Sequence, residues 1–172
     1  HTLTTDKVMT SKVRAIKDNY HGILFQKINA IEGNFLTLSR NDRERLFKDT
    51  ELVMDFSTSI AVERKLANEE HTFRRCTSFL NPKGDDVVLL IEDKDRNSRL
   101  DLLEMDYYRN LIVDERFAHH LEQSGTVRTN TFSCRSESMI LNYENVRVLS
   151  AIISKQIRKY YALGQACLSI WH

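Results

Sequence analysis

Residues 51–66 read ELVMDFSTSIAVERKL, and this stretch decides the fold that we expect. The apolar run Leu52 to Met54 ends abruptly in Asp55, three small hydroxyl residues follow, and a helical pattern begins near Ile60. In an open α/β sheet the carboxyl ends of the strands face the ligand crevice, and Asp55 would lie there. A carboxylate at that point can hold a metal that bridges nucleotide phosphates. The alternative is that Asp55 only starts the helix, as aspartate and serine commonly do.

The composition is that of an ordinary globular chain. Of 172 residues, 41% are hydrophobic and 28% are charged, and the formal net charge is +1. This balance gives no bulk electrostatic reason to expect nucleic acid or membrane binding. No apolar stretch approaches the ~20 residues that span a bilayer, and no secretory signal pattern opens the chain. Together with the cysteine usage described next, which fits a reducing compartment, this leads us to expect a cytoplasmic protein.

The chain has three cysteines, Cys76, Cys134 and Cys167. The number is odd and no Cys-x-x-Cys pair exists, so a disulfide framework and a structural zinc site are both disfavoured. Cys76 and Cys167 lie in strand patterns and are expected in the core, whereas Cys134 lies in a polar loop. The pair His119-His120 is interpreted as a feature of a helix end, because no spaced carboxylate or cysteine partner accompanies it.

Helical and strand patterns alternate along most of the chain, which favours a mostly parallel sheet. We expect helices at 9–20, 40–48, 60–68, 100–121 (one or two) and 142–163, and strands at 25–31, 52–54, 75–80, 87–91 and 165–172. The fold class is thus α/β: a mostly parallel, Rossmann-like sheet, mixed at one edge, flanked by helices and incomplete on its N-terminal side. A terminal strand and a first residue other than methionine suggest a piece of a longer protein.

Two local patterns sharpen this picture. Asn81-Pro82-Lys83-Gly84 is a turn signal between two strands, because proline fixes one dihedral angle and glycine permits a positive one. The continuous apolar run at 87–91 is typical of a strand that is buried on both faces.

Four features stand in a characteristic order: Lys12 at the start of a helix, Asp55 at a strand end, the strand–turn–strand unit, and Cys134-Arg135 ahead of a long apolar helix. This order resembles the activating-enzyme superfamily of ThiF, MoeB, HesA and the eukaryotic ubiquitin-activating enzymes, in the style of divergent bacterial ThiF-domain proteins. The resemblance covers most of the chain but only the later part of that family's adenylation domain. Residues 1–172 would be the C-terminal portion of one such domain.

The resemblance implies an activity and a set of site residues. The family adenylates the C-terminal carboxylate of a ubiquitin-like or sulfur-carrier protein with Mg-ATP, and many members then capture the acyl group on a cysteine. By that likeness Lys12 and Ser57 would bind ATP, and Asp55 would hold magnesium. Cys134 would accept the acyl group, with Arg135 beside it favouring the thiolate. Homodimers or pseudo-dimers and a conjugating-enzyme partner are further implications.

The chain departs from the family in one important respect. It has five glycines but no Gly-x-Gly-x-x-Gly phosphate loop, so that half of the domain would lie outside this chain and the segment alone would bind ATP poorly. Two alternatives therefore stay open. The chain could be a non-catalytic scaffold subunit of the same fold, binding a sister subunit or a conjugating enzyme. It could also be another nucleotide-binding α/β protein, such as a dehydrogenase-like one. Lys12 and Cys134 could equally be a solvated helix residue and a spectator thiol.

Overall fold

The computed structural model describes residues 11–20, 28–57, 59–68, 71–122 and 142–172. The chain divides into two compact units, residues 1–47 and residues 48–172. The first unit contains helix α1 (Lys12–Tyr20), a 3-10 helix at Phe35–Thr37 and helix α2 (Arg40–Phe47). The charged helix expected at 40–48 is therefore confirmed. The hydroxyl of Ser39 accepts a hydrogen bond from the Asp42 amide at 3.1 Å, the capping contact that serine provides at a helix start.

The second unit holds the sheet. Its elements are β1 (Leu52–Asp55), α3 (Ile60–Asn68), β2 (Arg74–Leu80), β3 (Val87–Ile91), α4 (Leu100–Val113), a 3-10 helix (Glu115–Phe117), α5 (Tyr143–Leu163) and β4 (Cys167–Trp171). The four strands lie in the order β1-β2-β3-β4. The α/β class is thus confirmed, and so are the strands expected at 52–54, 75–80, 87–91 and near the chain end.

The expectation of a mostly parallel sheet is wrong for these strands. Only β1 and β2 pair in parallel, joined by α3, whereas β2–β3 and β3–β4 are antiparallel. For the β2–β3 pair the physical reason is the connection at residues 81–86, which is too short for the crossover that parallel neighbours need. Asn81 closes this turn, because its side-chain oxygen accepts the amide hydrogens of Gly84, Asp85 and Asp86 at 2.9–3.1 Å.

One other expectation needs correction. Residues 28–31 are not a strand, and the remainder of the stretch expected to be one (25–27) lies outside the described residues. Of the one or two helices expected at 100–121, the structure has two: α4 ends at Val113, and Asp114 then caps the short 3-10 helix by accepting a hydrogen bond from the Arg116 amide.

Strand β3 contributes side chains to two core layers, one on each face of the sheet. Its odd-numbered side chains pack with α5, in a cluster of Cys76, Val87, Leu89, Ile91, Leu149, Ile153 and Cys167. Its even-numbered side chains pack with α4, in a cluster of Val88, Leu90, Leu100, Leu103 and Tyr107. All five β3 residues are buried, as the continuous apolar run predicts. The sheet is therefore covered by helices on both faces.

A search of the described helices found none with the length and apolar character that crossing a membrane requires.

Candidate functional site

Asp55 is the last residue of β1 and begins the turn into α3. Its Oδ1 accepts a hydrogen bond from the Ser57 amide at 2.8 Å, and the Ser57 hydroxyl accepts one from the Ser59 amide at 3.2 Å. Ser59 in turn caps α3, because its hydroxyl accepts from the Val62 amide. The side chains thus form a short relay that turns the chain from strand to helix. Within the described part of the chain, no hydrogen bond or ion pair involves the second carboxylate oxygen of Asp55.

Lys12 lies in the other unit, as the first residue of α1 and exposed to solvent. Ser11 caps this helix, since its hydroxyl accepts from the Arg14 amide at 3.4 Å. A cation at a helix N-terminus opposes the helix dipole, at a cost of about 0.3–1 kcal/mol. Helix stability therefore does not explain a lysine at this position. The Cys134-Arg135 pair lies outside the described residues.

A buried ion pair that sequence reasoning missed connects two strands and a helix. Glu92 follows β3 directly and its side chain is 0% exposed, while its partner Arg75 on β2 is 1% exposed. The Glu92 carboxylate accepts from the Arg75 guanidinium (2.6 and 2.9 Å), from the Arg75 amide (2.9 Å) and from the Leu100 amide at the start of α4 (2.8 Å). Arg96 adds a further contact at 3.2 Å.

Part of the charged segment 93–99 belongs to this network. Arg96 is partly buried and pairs with Glu92, and Asp93 accepts the Ser98 amide hydrogen at 2.7 Å. One signal was present in the sequence, because Glu92 directly follows the continuous apolar run 87–91, and a carboxylate that becomes buried there needs a cation beside it. Among the described residues, the Arg75 Nη1 atom is buried without a hydrogen-bond partner.

The neighbouring Arg74 points to the opposite face of β2 and holds the end of α5. Its guanidinium donates to the carbonyl oxygens of Glu92, Tyr160, Tyr161 and Gln165 at 2.6–3.2 Å. The last turn of a helix leaves such carbonyls without helical partners, and a cation there also interacts favourably with the negative end of the helix dipole. Arg74 therefore fixes the C-terminal end of α5 against the sheet.

A second polar network is centred on His120, which is buried. Its Nδ1 lies 2.6 Å from Asp86 Oδ2 and its Nε2 lies 3.1 Å from the Tyr107 hydroxyl. His172 reaches the other oxygen of Asp86 at 2.7 Å, and this contact raises the pKa of His172. Asp86 thus joins the start of β3 to α4 and to the end of β4. Sequence reasoning treated His119-His120 as a helix-end feature and did not identify this contact, which spans 34 positions.

Asp85, Asp86 and His172 place one potential ligand atom each within 4.8 Å of one another. Carboxylate and imidazole are ligands that divalent metals accept. These three side chains already have hydrogen-bond partners in the protein, however, because Asn81 donates to Asp85 at 2.6 Å and His172 lies 2.7 Å from Asp86. Their contacts are explained by the structure of the turn alone.

An open groove of about 480 Å³ runs between β1 and α5. Leu52 and Met54 on the strand and Ile157 on the helix form its apolar floor, and its charged rim consists of Asp49, Glu51 and Arg158 with Tyr161. The Tyr161 hydroxyl donates to Glu51, which raises the pKa of that tyrosine. Asp55 does not line this groove. Successive strand residues point to opposite faces, so the Asp55 side chain lies on the other face of β1.

Helix α4 is apolar on two sides. One face is buried against the sheet through Leu100, Leu103 and Tyr107, whereas the opposite face exposes Leu102, Met105, Tyr108, Ile112 and Val113. Ile112 is 83% exposed. An exposed apolar stripe of this length is typical of a surface that another molecule covers.

No protein-family model matches the chain, and no curated protein matches it in sequence.

Proposed function

We propose that this chain is part of an adenylating domain of the ThiF, MoeB and HesA type, built on a Rossmann-like sheet that extends beyond the described strands. The domain would activate the C-terminal carboxylate of a ubiquitin-like or sulfur-carrier protein with ATP. The observation that carries the proposal is the position of Asp55 at the carboxyl end of β1, in a parallel β1–α3–β2 unit. Ligands of open α/β sheets bind at this end of the strands.

The turn after β1 supports a magnesium role for Asp55. Magnesium in nucleotide sites takes one or two protein carboxylates and completes its shell with phosphate oxygens and water. Asp55 fits this requirement, because one carboxylate oxygen is used by the Ser57 amide and the other has no protein partner in the described part. When bound, the ion would reduce the negative charge of the phosphates. Asp55 would hold it, and Ser57 would lie next to the phosphates.

Lys12 enters the proposal through the resemblance alone. By that likeness it would place a positive charge against the phosphates, where negative charge develops during nucleotidyl transfer. Lys12 is the first residue of α1 and belongs to the other compact unit.

The chemistry would proceed in two balanced steps. The carrier's carboxylate oxygen attacks the α-phosphorus of ATP, which forms an acyl-adenylate and releases pyrophosphate. The Cys134 thiolate then attacks the acyl carbon, which forms a thioester and releases AMP. Arg135 would favour the thiolate by its positive charge.

The test is ATP–pyrophosphate exchange by the protein that contains this chain, in the presence of a carrier. Asp55→Asn tests the carboxylate charge alone, because the side-chain oxygen of asparagine can still accept the Ser57 amide hydrogen while the charge is lost. We expect exchange to fall about a hundredfold or more. Cys134→Ala should spare exchange and abolish the thioester. Full exchange by Asp55→Asn would show that the metal assignment is wrong.

One observation favours a second candidate, the non-catalytic scaffold. The exposed stripe of α4 is suited to binding a sister subunit or a conjugating enzyme. A scaffold would show no exchange even with its carrier. Under this alternative Met105→Glu would abolish co-purification with the partner, whereas under the enzymatic proposal Asp55→Asn is the variant that abolishes function.

A further inference from the structure

We propose that the groove between β1 and α5 binds an extended peptide segment, which pairs with the outer edge of β1 and adds a strand to the sheet. This inference uses the other face of β1 from Asp55, and it is compatible with the adenylation proposal only where further strands join the sheet at β4 and leave the outer edge of β1 free.

The first support is the edge itself. β1 stands at the end of the strand order and, among the described residues, pairs with β2 alone. An edge strand presents a row of amide and carbonyl groups that another extended backbone can satisfy. β1 is short, at four residues, and its one charged residue, Asp55, stands at its end. The part of the edge at Leu52-Val53-Met54 has no lysine or proline, and Met54 is 50% exposed.

The second support is the groove beside that edge. A strand that pairs with β1 would direct alternate side chains onto the floor formed by Leu52, Met54 and Ile157. The α5 wall is held in place by the contacts of Arg74 with the last carbonyls of the helix. A strand laid between a sheet edge and a helix is an established mode of peptide recognition, in which the backbone supplies affinity and the alternate side chains supply specificity.

The charges on the rim define the peptide further. Asp49 and Glu51 precede β1 at one end of the groove, and Arg158 stands on the helix wall. All three residues are exposed. The occupant is therefore an extended segment with apolar residues at alternate positions, a basic side chain facing Asp49 and Glu51, and an acidic side chain facing Arg158.

The experiment uses the whole chain and fluorescein-labelled nine-residue peptides in which valine and threonine alternate. Lysine stands near one end and glutamate near the other, in both orders, because strand direction decides which order matches. We expect one order to bind about fivefold more tightly in fluorescence anisotropy titrations. Methylation of the amide nitrogens that face β1 should weaken binding about tenfold or more, whereas methylation of the intervening nitrogens should not.

Matched variants locate the site. Met54→Lys changes an exposed side chain on the floor and should reduce affinity about tenfold. Arg158→Glu should invert the preference between the two charge orders, and Arg147→Glu, the same change elsewhere on α5, should leave it unaltered. Absence of binding by both peptides, equal affinity of the two orders, insensitivity to the register of methylation or an unchanged affinity in Met54→Lys would each overturn the proposal.

Discussion

The pairing of Arg75 with Glu92 makes a quantitative prediction about stability. Both side chains are fully buried, and the Glu92 carboxylate accepts hydrogen bonds from Arg75, Arg96 and the Leu100 amide. In Glu92→Gln one oxygen becomes an amide NH2 group that faces other donors, and the buried Arg75 guanidinium keeps only the more distant Asp101 carboxylate, at 3.7 Å, as a counterion. Removing one partner of such a pair costs about 3–5 kcal/mol. A domain of this size is stable by only about 5–15 kcal/mol, so the variant should be close to unfolding.

The measurement is urea unfolding followed by circular dichroism, with the free energy of unfolding extrapolated to water. The double variant Arg75→Met/Glu92→Met removes the desolvation cost of both charges but leaves the Arg75 and Leu100 amides without their acceptor. It should therefore recover part, and not all, of the stability that Glu92→Gln loses. The exposed pair Arg116–Asp114 serves as the matched control. Asp114→Asn should change the free energy of unfolding by less than about 1 kcal/mol.

One result would refute this reasoning. If Glu92→Gln lowered the free energy of unfolding by no more than Asp114→Asn did, the buried pair would not stabilise the junction of β2, β3 and α4. A double variant less stable than the single one would instead show that the pair contributes more than its desolvation costs.

Two further predictions concern titrating groups. Burial raises the pKa of the Cys76 thiol to about 12. The buried, protonated thiol therefore contributes to folding stability below pH 9, and this contribution is lost as the pH rises through 12. Iodoacetamide at pH 8 should modify Cys76 in urea and spare it in the folded protein, as read by peptide mass spectrometry. The carboxylate of Asp86 raises the pKa of His172 above 6.5, so the attraction between the two side chains is present below pH 6.5 and is lost as the pH rises through the raised value. An NMR titration should show the raised pKa of His172, and Asp86→Asn should abolish the increase. An unshifted His172 pKa in the parent protein would contradict the contact.

The two faces of β1 bear different proposed functions. Asp55 and its turn lie toward α3, at the strand end where a nucleotide site is proposed, while Leu52 and Met54 face the groove beside α5. Strand alternation separates the two surfaces although the residues are adjacent in sequence. A peptide bound in the groove would therefore leave the Asp55 carboxylate accessible.

Local patterns in the sequence determined much of the fold. The run at 87–91 predicted a strand that is buried on both faces, and Asn81-Pro82 predicted the turn that precedes it. The helix expected at 142–163 ends at Leu163, followed by Gly164 with a left-handed φ of 68°. These features depend on residues close in the chain, whose periodicity and backbone preferences act without tertiary contacts. For the same reason the Asp55 turn could be anticipated, although its proposed ligand remains a prediction.

Tertiary structure alone decided which strands became neighbours and which polar groups met. The alternation of helices and strands predicted a mostly parallel sheet, but the hairpin at 81–86 and the return of β4 beside β3 made two of three pairings antiparallel. Glu92 contacts Arg75, which is 17 positions away in the sequence, and His120 contacts Asp86, which is 34 positions away. No local preference encodes such contacts, because they stabilise the chain only after the strands have paired and removed these groups from water.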